Sequence, residues 1–561
     1  MKSKYILLAI LFLGFLLRTI LLDKYPPSLN WDEISHGYNA YSILKTGADE
    51  WGQYLPLSNF RAYGDYPLPL NLYITIPFVA LFGLTEFAIR FPHAILGTLT
   101  LLSIYFLMLA ITNNKKLSLF ASFLAAISPW YLFTSRFVAQ SNLSVFFLIG
   151  SMALFFNRSK NKWFLPLSFL SLGLTLFSYH STRIFSPMLL TATLIVYRSE
   201  LLNYAKYKSK IFIASISLLI IFFLPLPFIL ANPESRARAN EVFLINQAAT
   251  NEIIQLRTQS GLPDNIDRLI YNKLTYFVVK SSKNYIDYYS PQFLFLQGGT
   301  QYQFSIPSHG LIYWINLPLF YLGLLVLIKK AFAKNIKLPS TGYKLLLVWL
   351  LLAPIPASIT TERFAVLRSS SMLPLPEILT AFGAWEILNY LKKIRIDKIM
   401  VAAVYFIILG ILFTGYVNQY FTHYSKTYSW AWQYGYKQVV EYASQNYDKY
   451  DAIIFTKKYG EPHEYVLFYN QWDPQSYIDD SNLVRFNQSN WWWVDRFDKY
   501  WFINDWQVKQ LTTESGQNVE CKMQNVKCLL ITSPGNAPND WKKLETINFL
   551  HGETAFELYE N

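Results

Sequence analysis

The sequence predicts an α-helical protein that crosses a membrane many times and carries a small α/β domain at its carboxyl end. Three observations predict this. The 561 residues are 53% hydrophobic and 18% aromatic with only 15% charged, too apolar for a soluble chain of this size. The apolar residues gather in runs close to the length that crosses a bilayer as a helix. Lys and Arg cluster on every second connection between those runs.

About eleven runs qualify as spans: Tyr5–Leu22, Phe87–Ile111, Leu117–Phe133, Leu143–Phe156, Trp163–Tyr179, Ile184–Tyr197, Ile211–Leu230, Leu311–Ile328, Tyr343–Ile359, Met372–Leu391 and Ile399–Val417. The basic clusters are Lys2/Lys4, Lys115-Lys116, Arg158 to Lys162, Arg198 to Lys210, Lys329 to Lys337 and Lys392 to Lys398. Short basic loops stay in the cytoplasm, so all six share that side only if the chain alternates as written. The amino terminus is then expected inside and the carboxyl terminus outside. This alternation accounts for the net charge of +13 and argues against nucleic-acid binding. The first run is longer than a signal-peptide core, has Arg18 near its end and lacks a small-x-small site before Asp23, so it is expected to remain as an uncleaved span.

Three long segments lie between or beyond the spans. In the first, Asp23 to Glu86, Asp32 to Thr46 has helical apolar spacing and ends at Gly47, a C-cap signal. Pro67 to Gly83 is apolar but counting it as a span would turn every later basic loop outward; it is expected as a helix lying in the interface. The second, Ala231 to Gly310, is polar, with Arg236, Arg238, Arg257 and Arg268, a turn at Gln297-Gly298-Gly299-Thr300, and Ser308-His309-Gly310 at its close. The third is the tail from Asn418, where a helix at Tyr436–Asn446 and strands at Ala452–Thr456 and Cys528–Thr532 predict a small α/β domain. The expected domains are therefore a membrane module over 1–230 (with its first loop at 23–86), a loop over 231–310, further spans over 311–417 and a soluble domain over 418–561. Cys521 and Cys528 are the only cysteines; a disulfide and two free thiols both remain open. The seven histidines are dispersed, which argues against a protein-built zinc site.

The candidate chemistry begins with Asp32-Glu33, two acids at the start of a helix just beyond the first span. Capping that helix is the plain reading of such a pair. The surroundings suggest more: Trp31, His36 and Tyr38, then Arg61, Asp65 and Tyr66-Pro67-Leu68-Pro69-Leu70, form an aromatic and polar set suited to a sugar. Arg90 sits at the outer mouth of the second span, Arg136 on the next outward loop, Tyr179-His180-Ser181-Thr182-Arg183 on the one after, and Glu362-Arg363 and Arg368 on a later one. Each Arg alone could snorkel to headgroups. Together they run against the inside bias of basic residues and point to an anionic partner, for which a phosphate matches guanidinium geometry. Trp491-Trp492-Trp493 could face carbohydrate, though packing of the tail is favoured.

These residues resemble the GT-C glycosyltransferases of the protein O-mannosyltransferase and aminoarabinose-transferase type, including the RgtA/B/C/D-like bacterial group. Asp32-Glu33 after the first span, Pro67 to Leu70 leading to Leu81-Phe82-Gly83, Phe87 to Phe91 with Arg90, Ser128 to Arg136 and Tyr179 to Arg183 carry the resemblance, which covers the first 230 residues. It implies a GT-C fold and inverting transfer of a sugar from a polyprenyl-phosphate donor to an acceptor hydroxyl, on the extracytoplasmic face of a bacterial plasma membrane. Asp32 would be the general base with Glu33 beside it. His36, Arg61, Asp65, Tyr66, Arg90, Arg136, Tyr179, His180 and Arg183 would bind donor or substrate, Arg183 touching the donor phosphate and Arg90 acting as support. No cofactor is required, and a divalent metal is compatible but not indicated. The partners implied are the lipid-linked donor, a protein, glycan or lipid acceptor, and the bilayer. Two departures stand out: Asp65-Tyr66-Pro67-Leu68 replaces the relatives' His-Pro-Pro-Leu or Glu-Lys-Pro, and no acid follows Arg136 before Asn142.

One carboxylate suffices for such chemistry, because lipid phosphate leaves without a protonating acid while cations steady its charge. The alternatives are a lipid-linked glycan ligase or polymerase and, further off, a lipid or glycan transporter, whose polar groups would gather at mid-span.

Overall fold

A computed structural model describes residues 2–233, 236, 241–333, 340–395, 397–488, 491–512, 521 and 526–561. Arg238 and residues 334–337 of the Lys329 to Lys337 cluster lie outside the described residues. The chain divides into two compact units. One comprises Met1–Ile20, His93–Ser135 and Ala139–Val417; the other comprises Leu21–Pro92, Arg136–Val138 and Asn418–Asn561.

The first unit is helical. Each of the eleven apolar runs is helical over most of its length. Among the described residues, five helices are long and apolar enough to cross a membrane: Glu86–Thr112, Ser209–Ala231, Trp314–Phe332, Ser340–Ser358 and Lys398–Thr427. The predicted run Leu117–Phe133 is split into Lys115–Ile127 and Pro129–Thr134. Ser128, with ψ of 131°, makes the break, because a residue preceding proline is pushed out of the helical region. Helix α1 (Lys2–Thr19) buries Arg18, whose guanidinium donates to the Gly14, Ala125 and Ala126 carbonyls. The last two belong to the carbonyl end of Lys115–Ile127, where a cation is favoured. The polar segment 231–310 is largely helical too, with Gln247–Ser260 and Lys273–Asp287 started by side-chain caps from Asn246 and Asn272.

The second unit is a seven-stranded sheet of described residues with helices against it. The strands are β1 (Ala452–Thr456), β2 (Val484–Gln488), β3 (Trp491–Phe497), β4 (Tyr500–Ile503), β5 (Cys528–Thr532), β6 (Lys542–Asn548) and β7 (Thr554–Glu560), in the order β2-β3-β4-β1-β5-β7-β6. The central strand β1 pairs in parallel with β4 and β5, and the remaining pairs are antiparallel. Every residue of β1 and β5 is buried, as continuous apolar strands covered on both faces should be. Alternation sorts the two faces: Ala452, Ile454, Cys528 and Leu530 enter a small core with Val508 and Trp541, whereas Ile453, Phe455, Leu529 and Ile531 face the main core of the unit. Cys521 and Cys528 are joined by a disulfide on the small-core side.

That main core also contains Leu29, Ile34, Tyr38, Val79 and Leu84 from the first loop and Ala88 and Ile89 from the start of the next helix. Helix α2 (Trp31–Thr46) packs on the helix Pro462–Tyr469, and α3 (Leu70–Phe82) packs on α2. Helix α2 has the predicted span and the predicted C-cap, Gly47 at φ 79°. The loop 23–86 thus shares one hydrophobic core with the tail. Burying side chains of this size contributes roughly 1.5–3 kcal/mol each, so the helix bearing Asp32 is held by the sheet domain.

Candidate active site

The site is built on the first turn of α2. Asn30 caps the helix: its side chain accepts from the Glu33 N–H at 2.9 Å, and Glu33 reciprocates by accepting from the Asn30 N–H at 3.3 Å. Capping therefore falls to Asn30 and Glu33. Asp32 is half-buried in the first turn, where the helix dipole favours a carboxylate. Its Oδ1 accepts a short hydrogen bond from the Tyr63 hydroxyl. Burial, and then the Asp32 charge, hold that phenol protonated well above its ordinary range, so it remains a donor.

Tyr63 is positioned by the tail. Its ring stacks on Trp491 at 5.1 Å, and the Trp491 indole N–H donates to Glu461 Oε1. The neighbouring Gly64 makes room: a Cβ there would lie 2.0 Å from Trp491 Cε3. His36 is one turn beyond Asp32. Its Nδ1 lies 2.7 Å from the Asp32 carbonyl, which can only accept, so Nδ1 carries the proton. Burial pushes the imidazole pKa down and keeps it neutral, with its ring edge-on to Phe60.

Glu33, expected as a catalytic partner of Asp32, has a different job. It is fully buried and ion-paired with Arg90, with Nε to Oε1 and Nη2 to Oε2 both at 2.8 Å. Arg90 Nη1 donates to the Leu22 and Pro26 carbonyls, and Nη2 also donates to Ser28 O. All five guanidinium donors are used. Glu33 Oε1 additionally accepts from the Val138 N–H. Every face of the Glu33 carboxylate is taken, and Arg90 directs all its donors to contacts within its own unit.

The other expected residues of this unit divide in two. Arg61 lies over the rings of Trp51 and Trp492, at 5.1 and 4.5 Å, so the tryptophan triplet packs against the first loop. Asp65 closes the turn below Tyr63, its carbonyl accepting from the Ala62 N–H and its carboxylate from the Tyr66 N–H. Tyr66 is half-buried beside it. Arg136 lies over the Tyr420 and Phe421 rings and donates to the Tyr420 hydroxyl and the Tyr25 carbonyl.

Residues 65–228 match the family model described as dolichyl-phosphate-mannose-protein mannosyltransferase. No curated protein matches the sequence. Among solved structures, the Archaeoglobus fulgidus oligosaccharyltransferase tethered with an acceptor peptide containing the NVT sequon is similar at a TM-score of 0.50 and 14% identity, covering 83% of this chain and 63% of that one. ArnT from Cupriavidus metallidurans bound to undecaprenyl phosphate is similar at 0.42 and 10%, covering 100% and 97%. The S. cerevisiae protein O-mannosyltransferase Pmt1-Pmt2 complex bound to the sugar donor gives 0.31 and 17%, covering 41% and 33%. The resemblance is to the GT-C glycosyltransferases.

At 14% identity the oligosaccharyltransferase likeness concerns the fold, and the chain spans 63% of that protein's length. The GT-C-like helical unit holds Tyr179, His180 and Arg183. Tyr179 and His180 are half-buried, and their carbonyls accept from the Thr182 and Arg183 N–H groups at the start of the helix Thr182–Val196. Arg183 is buried, its Nε donating to the Leu176 carbonyl. Below it the same helix and Ser340–Leu352 border an apolar groove of about 540 Å³, lined by Pro187, Met188, Ile195, Val196, Val348 and Leu352.

Sequence reasoning missed Tyr63 and Glu461, and named Trp491 without its partners. The Gly next to Tyr63 and the tryptophan triplet were the available signals, but nothing local pairs residues more than 400 apart. It also did not bring His463 near any acid, whereas the fold sets Glu50, His463 and Glu464 together with a ligand atom from each within 4.8 Å of the others.

Proposed function

We propose that the chain is an integral membrane glycosyltransferase. It moves a sugar from a polyprenyl-phosphate donor to an acceptor hydroxyl, with inversion, on the extracytoplasmic face of a bacterial plasma membrane. The observation that carries the reading is the division of labour between neighbouring acids. Glu33 is locked by Arg90, while Asp32 stands half-exposed on the same turn, oriented by Tyr63.

In this mechanism the acceptor oxygen attacks the anomeric carbon and its proton passes to Asp32. The bond from that carbon to the phosphate oxygen breaks, and lipid phosphate departs with the electron pair. The hydrogen bond from the Tyr63 hydroxyl keeps the Asp32 carboxylate aimed. Arg183 is the proposed cation for the donor phosphate, and His36, Arg61, Asp65, Tyr66, Arg136, Tyr179 and His180 are the other proposed donor- or substrate-binding residues. The apolar groove that begins one turn below Arg183 suits a prenyl chain whose phosphate lies near that guanidinium. The alternating basic loops support about eleven crossings with the amino terminus inside. The Cys521–Cys528 disulfide, in the same unit as Asp32, supports an oxidising compartment for that unit.

The test is turnover of defined polyprenyl-phosphate sugars by the chain in membranes. Asp32→Asn should lower the rate about 10²–10⁴-fold, the loss expected of a general base, with donor binding retained; a normal rate would refute the assignment. The second reading, a lipid-linked glycan ligase or polymerase, draws on the oligosaccharyltransferase-like fold. Under it, pyrophosphate-linked oligosaccharides are consumed and monophosphate-linked sugars are not.

A further inference from the structure

Behind the Tyr63–Trp491 wall lies a buried group of acids that the proposed reaction does not use. Glu50, from the loop after α2, and Glu461 and Glu464, at the start of the helix Pro462–Tyr469, are each 1% exposed, and His463 is 3% exposed. One ligand atom from each of Glu50, His463 and Glu464 lies within 4.8 Å of the others. Among the described residues the Oε2 atoms of Glu50 and Glu464 have no donor, and the two carboxyl groups face each other closely enough to share a proton. Two unsatisfied carboxylate oxygens in a buried site are costly unless something positive or protic lies between them.

Two cations lie nearby; the Arg485 charge acts on Glu50, and its buried Nε has no acceptor among the described residues. Lys457 is bonded to Asp495. Arg485 lies over Trp51 and Tyr477 and donates to the Glu50 carbonyl, not to its carboxylate. Glu50 Oε1 takes one bond from Asn39, at 3.2 Å. Glu461 Oε2 stands 3.6 Å from His463 Nδ1, a carboxylate beside the ring of the kind that orients ligating imidazoles. Burial and mutual repulsion push the carboxyl groups of Glu50 and Glu464 upward, so in the absence of a cation a proton is held there.

We propose that Glu50, His463 and Glu464 bind one divalent transition-metal ion of the Zn²⁺ or Mn²⁺ kind. One imidazole and two carboxylates suit such ions better than Ca²⁺ or Mg²⁺, which take oxygen ligands. Ligand atoms on a tetrahedral ion lie about 3.4 Å apart, so small side-chain rotations close the site. The ion joins the loop after α2 to the helix that carries His463. Through Glu461 and Trp491 it steadies Tyr63 and hence Asp32, which makes its ligands positioning residues for the proposed reaction. The binding itself is independent of that reaction.

The experiment uses the full-length chain in detergent, stripped with a chelator and dialysed against Zn²⁺, Mn²⁺, Mg²⁺ or Ca²⁺, with metal read by mass spectrometry. Wild type should retain about one Zn²⁺ or Mn²⁺ per chain, with a raised unfolding midpoint, and no Mg²⁺ or Ca²⁺. Co²⁺ should give the visible absorption of a low-symmetry site. Glu464→Gln and Glu50→Gln should each lose the ion and the Co²⁺ band, while their metal-free forms unfold no earlier than metal-free wild type, because an amide relieves the acid–acid repulsion. If wild type retains no transition metal, or both amide variants retain it like wild type, the proposal fails and the pair is simply held by a proton.

Discussion

Replacing Glu33 by Gln separates a structural acid from a catalytic one. Gln preserves the size of the side chain and is itself acceptable at the third position of a capping box. What it cannot do is accept from Arg90 Nε, Arg90 Nη2, the Val138 N–H and the Asn30 N–H, because one of its two heads is a donor. Arg90 keeps its full charge, buried and facing an amide. Breaking a buried pair by removing one partner costs about 3–5 kcal/mol. At roughly 2–4 °C per kcal/mol for a unit of this size, the unfolding midpoint should fall by about 6–20 °C. The assay is thermal unfolding of the full chain in detergent, followed by the fluorescence of its 16 tryptophans. Glycosyl transfer, measured below the lowered midpoint, should fall far less than in Asp32→Asn. A Glu33→Gln protein with the wild-type midpoint and no transfer would refute the reasoning, since Glu33 would then be acting on substrate.

Further expectations concern the wall behind Asp32. Tyr63→Phe removes one hydrogen bond to a charged group, worth about 1.5–3 kcal/mol; kcat should fall about 10–100-fold with KM for the acceptor little changed, and an unaltered kcat would exclude Tyr63 from positioning Asp32. Gly64→Ala places a methyl group where Trp491 lies, so tryptophan fluorescence and kcat should shift together, and a variant that keeps both unchanged would contradict the stack. Burial raises Glu461 to about 7, so the folded metal-free chain holds a proton there that the unfolded chain releases near pH 4.5. Stability from this group is therefore present below about pH 4.5 and falls as pH rises to about 7, by about 3 kcal/mol in all. Midpoints of the chelator-treated chain across that window should decline less steeply in Glu461→Gln, Glu50 and Glu464 keeping their own share; an equally steep decline would place the titrating group elsewhere.

What the sequence determined is what local chemistry can determine. Hydropathy and the alternation of Lys and Arg specify a helical membrane chain, since each run satisfies its own backbone hydrogen bonds and each loop carries its own charge. The spacing from Asp32 to Gly47 specifies α2 and its end, and the apolar runs at Ala452–Thr456 and Cys528–Thr532 specify two central strands. The early acid pair was legible, but not which acid pairs with Arg90. That was decided by Arg90, 57 positions away, and by the Val138 N–H. The loop after the first span and the tail, some 400 residues apart, share one core because neither buries its apolar face alone. That packing sets Trp491 on Tyr63 and brings Glu50 to His463 and Glu464. Burial and hydrogen-bond partners arise from such long-range contacts and leave no periodic trace in the chain, whereas helices and turns do.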